Sequence, residues 1–92
     1  MSVPDYHGAH VGPLLPDRVE LSWYEPVSRA AVVRVVAHTC GCQAMAYELC
    51  TAGGQGFVRR ADQEQGAVHE TAWTLVAVAR RTFEMILGGQ AV

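Results

Sequence analysis

The chain has no lysine and no asparagine, and its seven arginines face nine acidic residues across 92 positions, for a formal charge of −2. That balance excludes the broad cationic surface by which a small domain holds nucleic acid through its phosphates. Charged residues make up only 17% of the chain and hydrophobic ones 50%. This is too little charge for a disordered tail and enough apolar material for a core. Long apolar runs are also missing. Ala30–Val33 and Leu75–Ala79 fall far short of the roughly 18 residues of a membrane span, and residues 1–17 show neither the cationic start nor the apolar segment of a secretory leader. A soluble cytoplasmic chain with no membrane partner is expected. At this length it holds a single core.

Cysteine is scarce and odd in number, at positions 40, 42 and 50. Without a leader, thiols are expected rather than a disulfide framework. In an extended strand Cys40 and Cys42 would share one face about 7 Å apart, which does not place them for an easy mutual bridge.

Residues 1–17 carry Pro4, Pro13, Pro16, Gly8 and Gly12 without periodicity, and read as a flexible arm preceding a single domain over 18–92. His7 and His10 in that arm read as solvated, because Gly8 and the prolines oppose a helix that would align them. From Val19 to Tyr24 apolar and polar residues alternate, the period-two pattern of a half-buried strand closed by Pro26. Ala30–His38 and Ala44–Cys50 are rich in β-branched and alternating apolar residues, and predict a hairpin across Cys40-Gly41-Cys42. With a three-residue turn, Val33 opposes Leu49, Val35 opposes Tyr47 and Ala37 opposes Met45 on one face, while Arg34 meets Glu48 on the other.

Residues 51–56, with glycines at 53, 54 and 56, read as a turn after which Phe57–Arg60 can pair back on residues 47–50, with Arg59 in reach of Glu48. Gln65-Gly66 predicts a two-residue turn into a short strand over 67–70. Thr71 is positioned as a helix N-cap and Gly88-Gly89 as the stop. Between them Ala72, Leu75, Val76, Ala79, Phe83, Ile86 and Leu87 form one apolar stripe. The expected fold is α+β: an antiparallel sheet of four or five strands with one C-terminal helix packed across one face.

The sharpest chemical feature is His38, Cys40 and Cys42, an imidazole and two thiols at alternate positions, soft donors suited to zinc. A fourth ligand is not evident: Cys50 lies too far down the hairpin, and His69 reaches the turn only if its strand ends there. No carboxylate is placed to orient His38 and no oxyanion element opens a helix, so neither a catalytic residue nor a small-molecule substrate is assigned and no cofactor is expected. Gly53-Gly54-Gln55-Gly56 leads into a strand rather than a helix and so lacks the amides of a phosphate loop. The pairs Arg59-Arg60 and Arg80-Arg81 point in divergent directions and read as solvated charges.

A single helix covers one sheet face and leaves the other open. Val32, Val36, Ala46 and Cys50, around the pair Arg34 and Glu48, are the expected interface for a protein partner or a second copy of the chain. The reading that follows is a non-enzymatic interaction module acting by protein–protein contact. The alternative is a small zinc protein using His38, Cys40 and Cys42.

The segment Tyr47–Arg60, then Val68–Trp73 and the helix ending Leu87–Ala91, resembles a group of small actinobacterial proteins with a Tyr-Glu-Leu-Cys…Gly-Gly…Arg-Arg stretch and a Trp-initiated last helix. More loosely, short strands closed by a Trp-bearing helix are similar to BldB-like small regulators. The resemblance implies a dimerising or partner-binding regulatory accessory protein beside a transcription regulator. It carries no site residues over to this chain.

Overall fold

A computed structural model describes residues 8–26 and 32–92. Strands β1 (Arg34–His38), β2 (Met45–Ala52), β3 (Gln55–Asp62), β4 (Val68–Glu70) and β5 (Thr74–Leu75) precede one helix, α1 (Val76–Leu87). The sheet runs β1-β2-β3-β4, with β5 also pairing β3, and every pairing is antiparallel. The expected α+β fold, an antiparallel sheet of four or five strands with one C-terminal helix, is what the chain forms with five, although the set of strands differs from the one expected.

The central hairpin follows from its turn. Gly53 and Gly54 adopt φ of 56° and 81°, a left-handed pair that matches the twist of the flanking strands. Tyr47 therefore opposes Arg60, Glu48 opposes Arg59, Leu49 opposes Val58 and Cys50 opposes Phe57. Tyr47, Leu49 and Val58 point to the helix and pack with Ala79, Phe83, Ile86 and Ala91. Cys50, Ala52 and Phe57 form a second cluster with Trp73. The next turn is longer than the two residues expected. The Asp62 carboxylate accepts from the N–H groups of Glu64 and Gln65 at 3.0 Å each, and Gly66 turns at φ 75° to donate to the Asp62 carbonyl. An aspartate that binds its own following backbone builds the loop from its first residue.

Residues 19–24 make no strand of the sheet. Val19 bridges Ala91 in parallel, Tyr24 bridges Glu70, and Leu21 donates to the Val92 carbonyl, so the segment splints the chain's last residues instead. The helix starts at Val76 rather than after Thr71, whose hydroxyl accepts from the Val58 N–H at 2.9 Å. Thr74 and Leu75 are held as β5, which leaves Leu75 71% exposed and off the apolar stripe. The stop is as expected, with the Gly88 N–H on the Glu84 carbonyl and Gly89 at φ 75°.

The β1–β2 register differs most. Arg34 opposes Thr51, Val35 opposes Cys50, Ala37 opposes Leu49 and His38 opposes Glu48, with a bulge at Val36. The cause is a turn longer than Cys40-Gly41-Cys42. Thr39 is tied to Tyr47 twice, by N–H to carbonyl at 2.9 Å and by its Oγ1 accepting from the Tyr47 N–H at 3.0 Å, so residues 40–44 lie outside the ladder. Val33 and Val35, expected under the helix, are 39% and 43% exposed. Ala30 and Ala31 of the expected second strand, and His7, lie outside the described residues.

Residues 8–17, expected as an arm, run along the body as a strap. Ala9 bridges Thr39 and accepts from the Cys40 N–H at 2.9 Å, Gly12 donates to the Leu87 carbonyl and Leu15 to the Gly89 carbonyl. The Val11 side chain packs on the main core.

Candidate metal centre

Residues 40–44 bend away from the sheet, and two amide side chains hold that bend. Gln63, in the β3–β4 loop, donates to the carbonyls of Gly41 and Gln43, and the Gln43 side-chain oxygen accepts from the Val11 N–H at 3.1 Å. The second contact seats the strap against the turn. It brings His10 beside Cys42, with Nε2 3.1 Å from Sγ, while the Cys40 thiol donates to Cys42 Sγ at 3.0 Å. The donor atoms of His10, Cys40 and Cys42 all lie within 4.8 Å of one another. Cys40 is buried at the base of the group, and His10 and Cys42 are exposed above it.

Two thiols and an imidazole converging from positions 32 residues apart in the chain form a soft donor set. A zinc ion bound at about 2.3 Å to each sulfur would hold the sulfurs about 3.7 Å apart, so the pair has to open by roughly 0.7 Å. The exposed turn can give that much. The hydrogen bond shared with Cys40 pushes the Cys42 thiol above its ordinary range, with desolvation and the charge of a Cys40 thiolate adding to it. A cation reverses this by replacing the shared proton.

Of the residues expected at a metal site, Cys40 and Cys42 are brought together and His38 is not. The His38 Nδ1 donates to the Thr39 carbonyl at 3.0 Å, and its place is taken by His10. In the sequence His10 lies in a proline- and glycine-rich stretch with no period, and what brings it to the turn is the strap's backbone bonding, which leaves no signal in residue type. His69 is engaged elsewhere, with Glu25 at 3.2 Å.

The expected interface is reassembled too. Glu48 pairs not with Arg34 but with Arg59, Nε to Oε1 at 2.8 Å, because β2 and β3 place them directly opposite. Cys50 is fully buried, since residues 71–73 fold back over β3 and lay Trp73 on Phe57, rings parallel within 4° and 4.6 Å apart. Its thiol is pushed up to about 11, chiefly by burial. Ala46 and Glu48 are half-buried, and Val32, Arg34 and Val36 are exposed. The four paired arginines do not converge: Arg59 holds Glu48, the Arg60 guanidinium lies 4.3 Å over the Trp23 ring, and Arg80 and Arg81 stand exposed on α1.

Compared with known proteins, the chain matches no family model, no curated protein and no solved structure. No described helix is long and apolar enough to cross a membrane.

Proposed function

We propose that the chain is a small, non-enzymatic metal-binding protein that holds a zinc ion between Cys40, Cys42 and His10, fastening the N-terminal strap to the β1–β2 turn. The observation that carries this reading is the arrival of His10 at the two thiols from a separate segment, through a contact seated by Gln43. Three protein donors leave one tetrahedral position for water or a donor from another molecule. That position suits an accessory role in which metal and partner are held together. The test is zinc binding by the full chain, purified without chelator and titrated against a chromophoric competitor. One zinc per chain is expected, lost in Cys40→Ser and Cys42→Ser, weakened about 10-fold or more in His10→Ala, and unchanged in His38→Ala. Less than about one-fifth of a metal per chain, at a site whose structural counterparts are normally filled, would overturn it.

A second observation favours self-association as the contact this protein makes. β1 ends the sheet, and Val35 and Val36 on it and Val32 and Val33 just before it are 43%, 48%, 79% and 39% exposed. No lysine or proline interrupts residues 32–38, and what guards the edge is Arg34, the bulge at Val36 and the strap at Thr39. A second copy pairing β1 to β1 is the contact proposed. Sedimentation velocity should show a dimer that Val36→Asp dissociates, and a monomer at all concentrations would refute it.

A further inference from the structure

The bend that gathers the donors also changes what the two thiols can do to each other. In an extended strand Cys40 and Cys42 would stand about 7 Å apart, whereas in this turn their sulfurs are 3.0 Å apart. A disulfide needs about 2.05 Å, so closure asks for an approach of roughly 1 Å. The backbone between them is a single glycine outside the strand ladder, so that approach breaks no sheet hydrogen bond. The two sulfurs are also unequal in access: Cys42 is exposed, and Cys40 is buried with its N–H held by the Ala9 carbonyl. Such a pair has an outer thiol that meets an oxidant and an inner one that resolves the adduct. Cys50, fully buried against Phe57 and Trp73, is outside this chemistry.

We propose that Cys40 and Cys42 form a reversible intrachain disulfide by exchange with a low-molecular-weight disulfide, and that this bond and the metal are alternative occupants of the same sulfurs. Cys42 gives up its proton, for which the His10 imidazole 3.1 Å away is the nearest acceptor, and its thiolate attacks one sulfur of the small disulfide. A Cys42 mixed disulfide forms and one small thiolate leaves. Cys40 then loses its proton and attacks the Cys42 sulfur, and the second small thiolate leaves with its electron pair. The chain is oxidised by two electrons and loses two protons, and one small disulfide is reduced to two thiols. The inference shares its atoms with the metal reading but does not depend on it.

The test uses the reduced, metal-free full chain equilibrated with glutathione and oxidised glutathione at varied ratios, quenched in acid, unfolded, alkylated and weighed intact. The wild-type chain should pass from three alkylated thiols to one, with no bound glutathione, and return to three on reduction. Cys40→Ser should stop at a single glutathione adduct. Cys50→Ala should still close the bond, ending with no alkylated thiol. A wild-type chain that stops at the mixed disulfide, links only between chains, or bonds through Cys50 overturns the inference. Zinc added beforehand should slow closure, and His10→Ala should weaken that protection while reaching the same disulfide. Closure in a chain that binds no zinc would sink the metal reading alone, and zinc binding by a chain that never closes would sink this inference alone.

Discussion

The strap can be challenged at a point where its backbone touches the end of the helix. Gly89 has φ of 75°, and a Cβ there would fall inside the van der Waals shell of the Pro13 carbonyl oxygen, with the Pro13 carbonyl carbon at 2.9 Å. Gly54 has nearly the same φ, 81°, and nothing within 4 Å of its Cβ position. Both Gly→Ala changes impose a left-handed conformation on a residue with a Cβ, at about 1–2 kcal/mol. Only Gly89→Ala must also lift residues 12–15. That breaks the bonds from Leu15 to Gly89 (3.0 Å) and from Gly12 to Leu87 (2.9 Å), each contributing about 1 kcal/mol. Gly89→Ala is therefore expected to destabilise by about 2 kcal/mol more than Gly54→Ala, read as the difference in urea midpoints at equal slope followed by tryptophan fluorescence. Because the strap carries His10, zinc affinity should fall in Gly89→Ala and hold in Gly54→Ala. Stabilities that agree within about 0.5 kcal/mol would mean that the strap is not seated on the helix end, and the argument for His10 would fail with it.

The register of β2 makes its own prediction. Leu49→Asp, placing a charge at a fully buried position, should unfold the domain, whereas Val36→Asp at the exposed bulge should leave the circular dichroism unchanged, and the reverse pattern would show the register to be wrong. Trp73→Ala removes both the stack on Phe57 and the 2.9 Å bond from Nε1 to Glu70, and should cost about 3 kcal/mol in chemical denaturation. Trp73→Phe, which keeps a ring, should cost only about 1 kcal/mol. Cys50 is raised to about 11 from 9.0, so the unfolded chain ionises first and its contribution to stability, complete below pH 9, should decline between pH 9 and 11. Tyr47, also raised by burial, adds to that decline at higher pH, and the share missing in Cys50→Ala belongs to the thiol. At pH 8, iodoacetamide should label Cys42 in the native protein and reach Cys50 only after unfolding.

Local chemistry was legible in the sequence where it decides structure locally. The glycines between residues 51 and 56 marked the β2–β3 turn and put Arg59 in reach of Glu48, but the pairing runs on through Thr51, Ala52, Gln55 and Gly56 to a tight Gly53-Gly54 turn, and that two-residue turn fixes the register. Gly88-Gly89 ended the helix where expected for the same kind of reason. The errors fall where tertiary contacts compete with pattern. Val19–Tyr24 alternates as a strand would, but its backbone partners are residues 90–92 and Glu70, at the far end of the chain. Thr71 has the chemistry of a helix cap, but its hydroxyl is taken by Val58. Two of the three donors of the candidate metal centre, Cys40 and Cys42, could be read from type and spacing. His10 could not, because its position depends on hydrogen bonds from Cys40 to Ala9 and from Val11 to Gln43 that no periodicity encodes.

The strap's contacts have a kinetic consequence. The β2–β3 hairpin closes across two residues, whereas the bonds from Gly12 to Leu87 and from Leu21 to Val92 enclose most of the chain. Closure entropy grows with the length enclosed, so these bonds can form only after the sheet and helix have brought their partners close. These late contacts rest on single backbone hydrogen bonds between distant segments and on the partly buried Val11 and Leu21 side chains, and are expected to open at lower free energy than the central hairpin. The strap can lift while β2 and β3 remain paired, and lifting it carries His10 away from two thiols that stay on the turn. In the proposed metal site, exchange of the His10 donor would then proceed through a sub-global opening, at a rate set by the strap rather than by the unfolding of the domain, while Cys42, exposed on the turn, meets an oxidant without it.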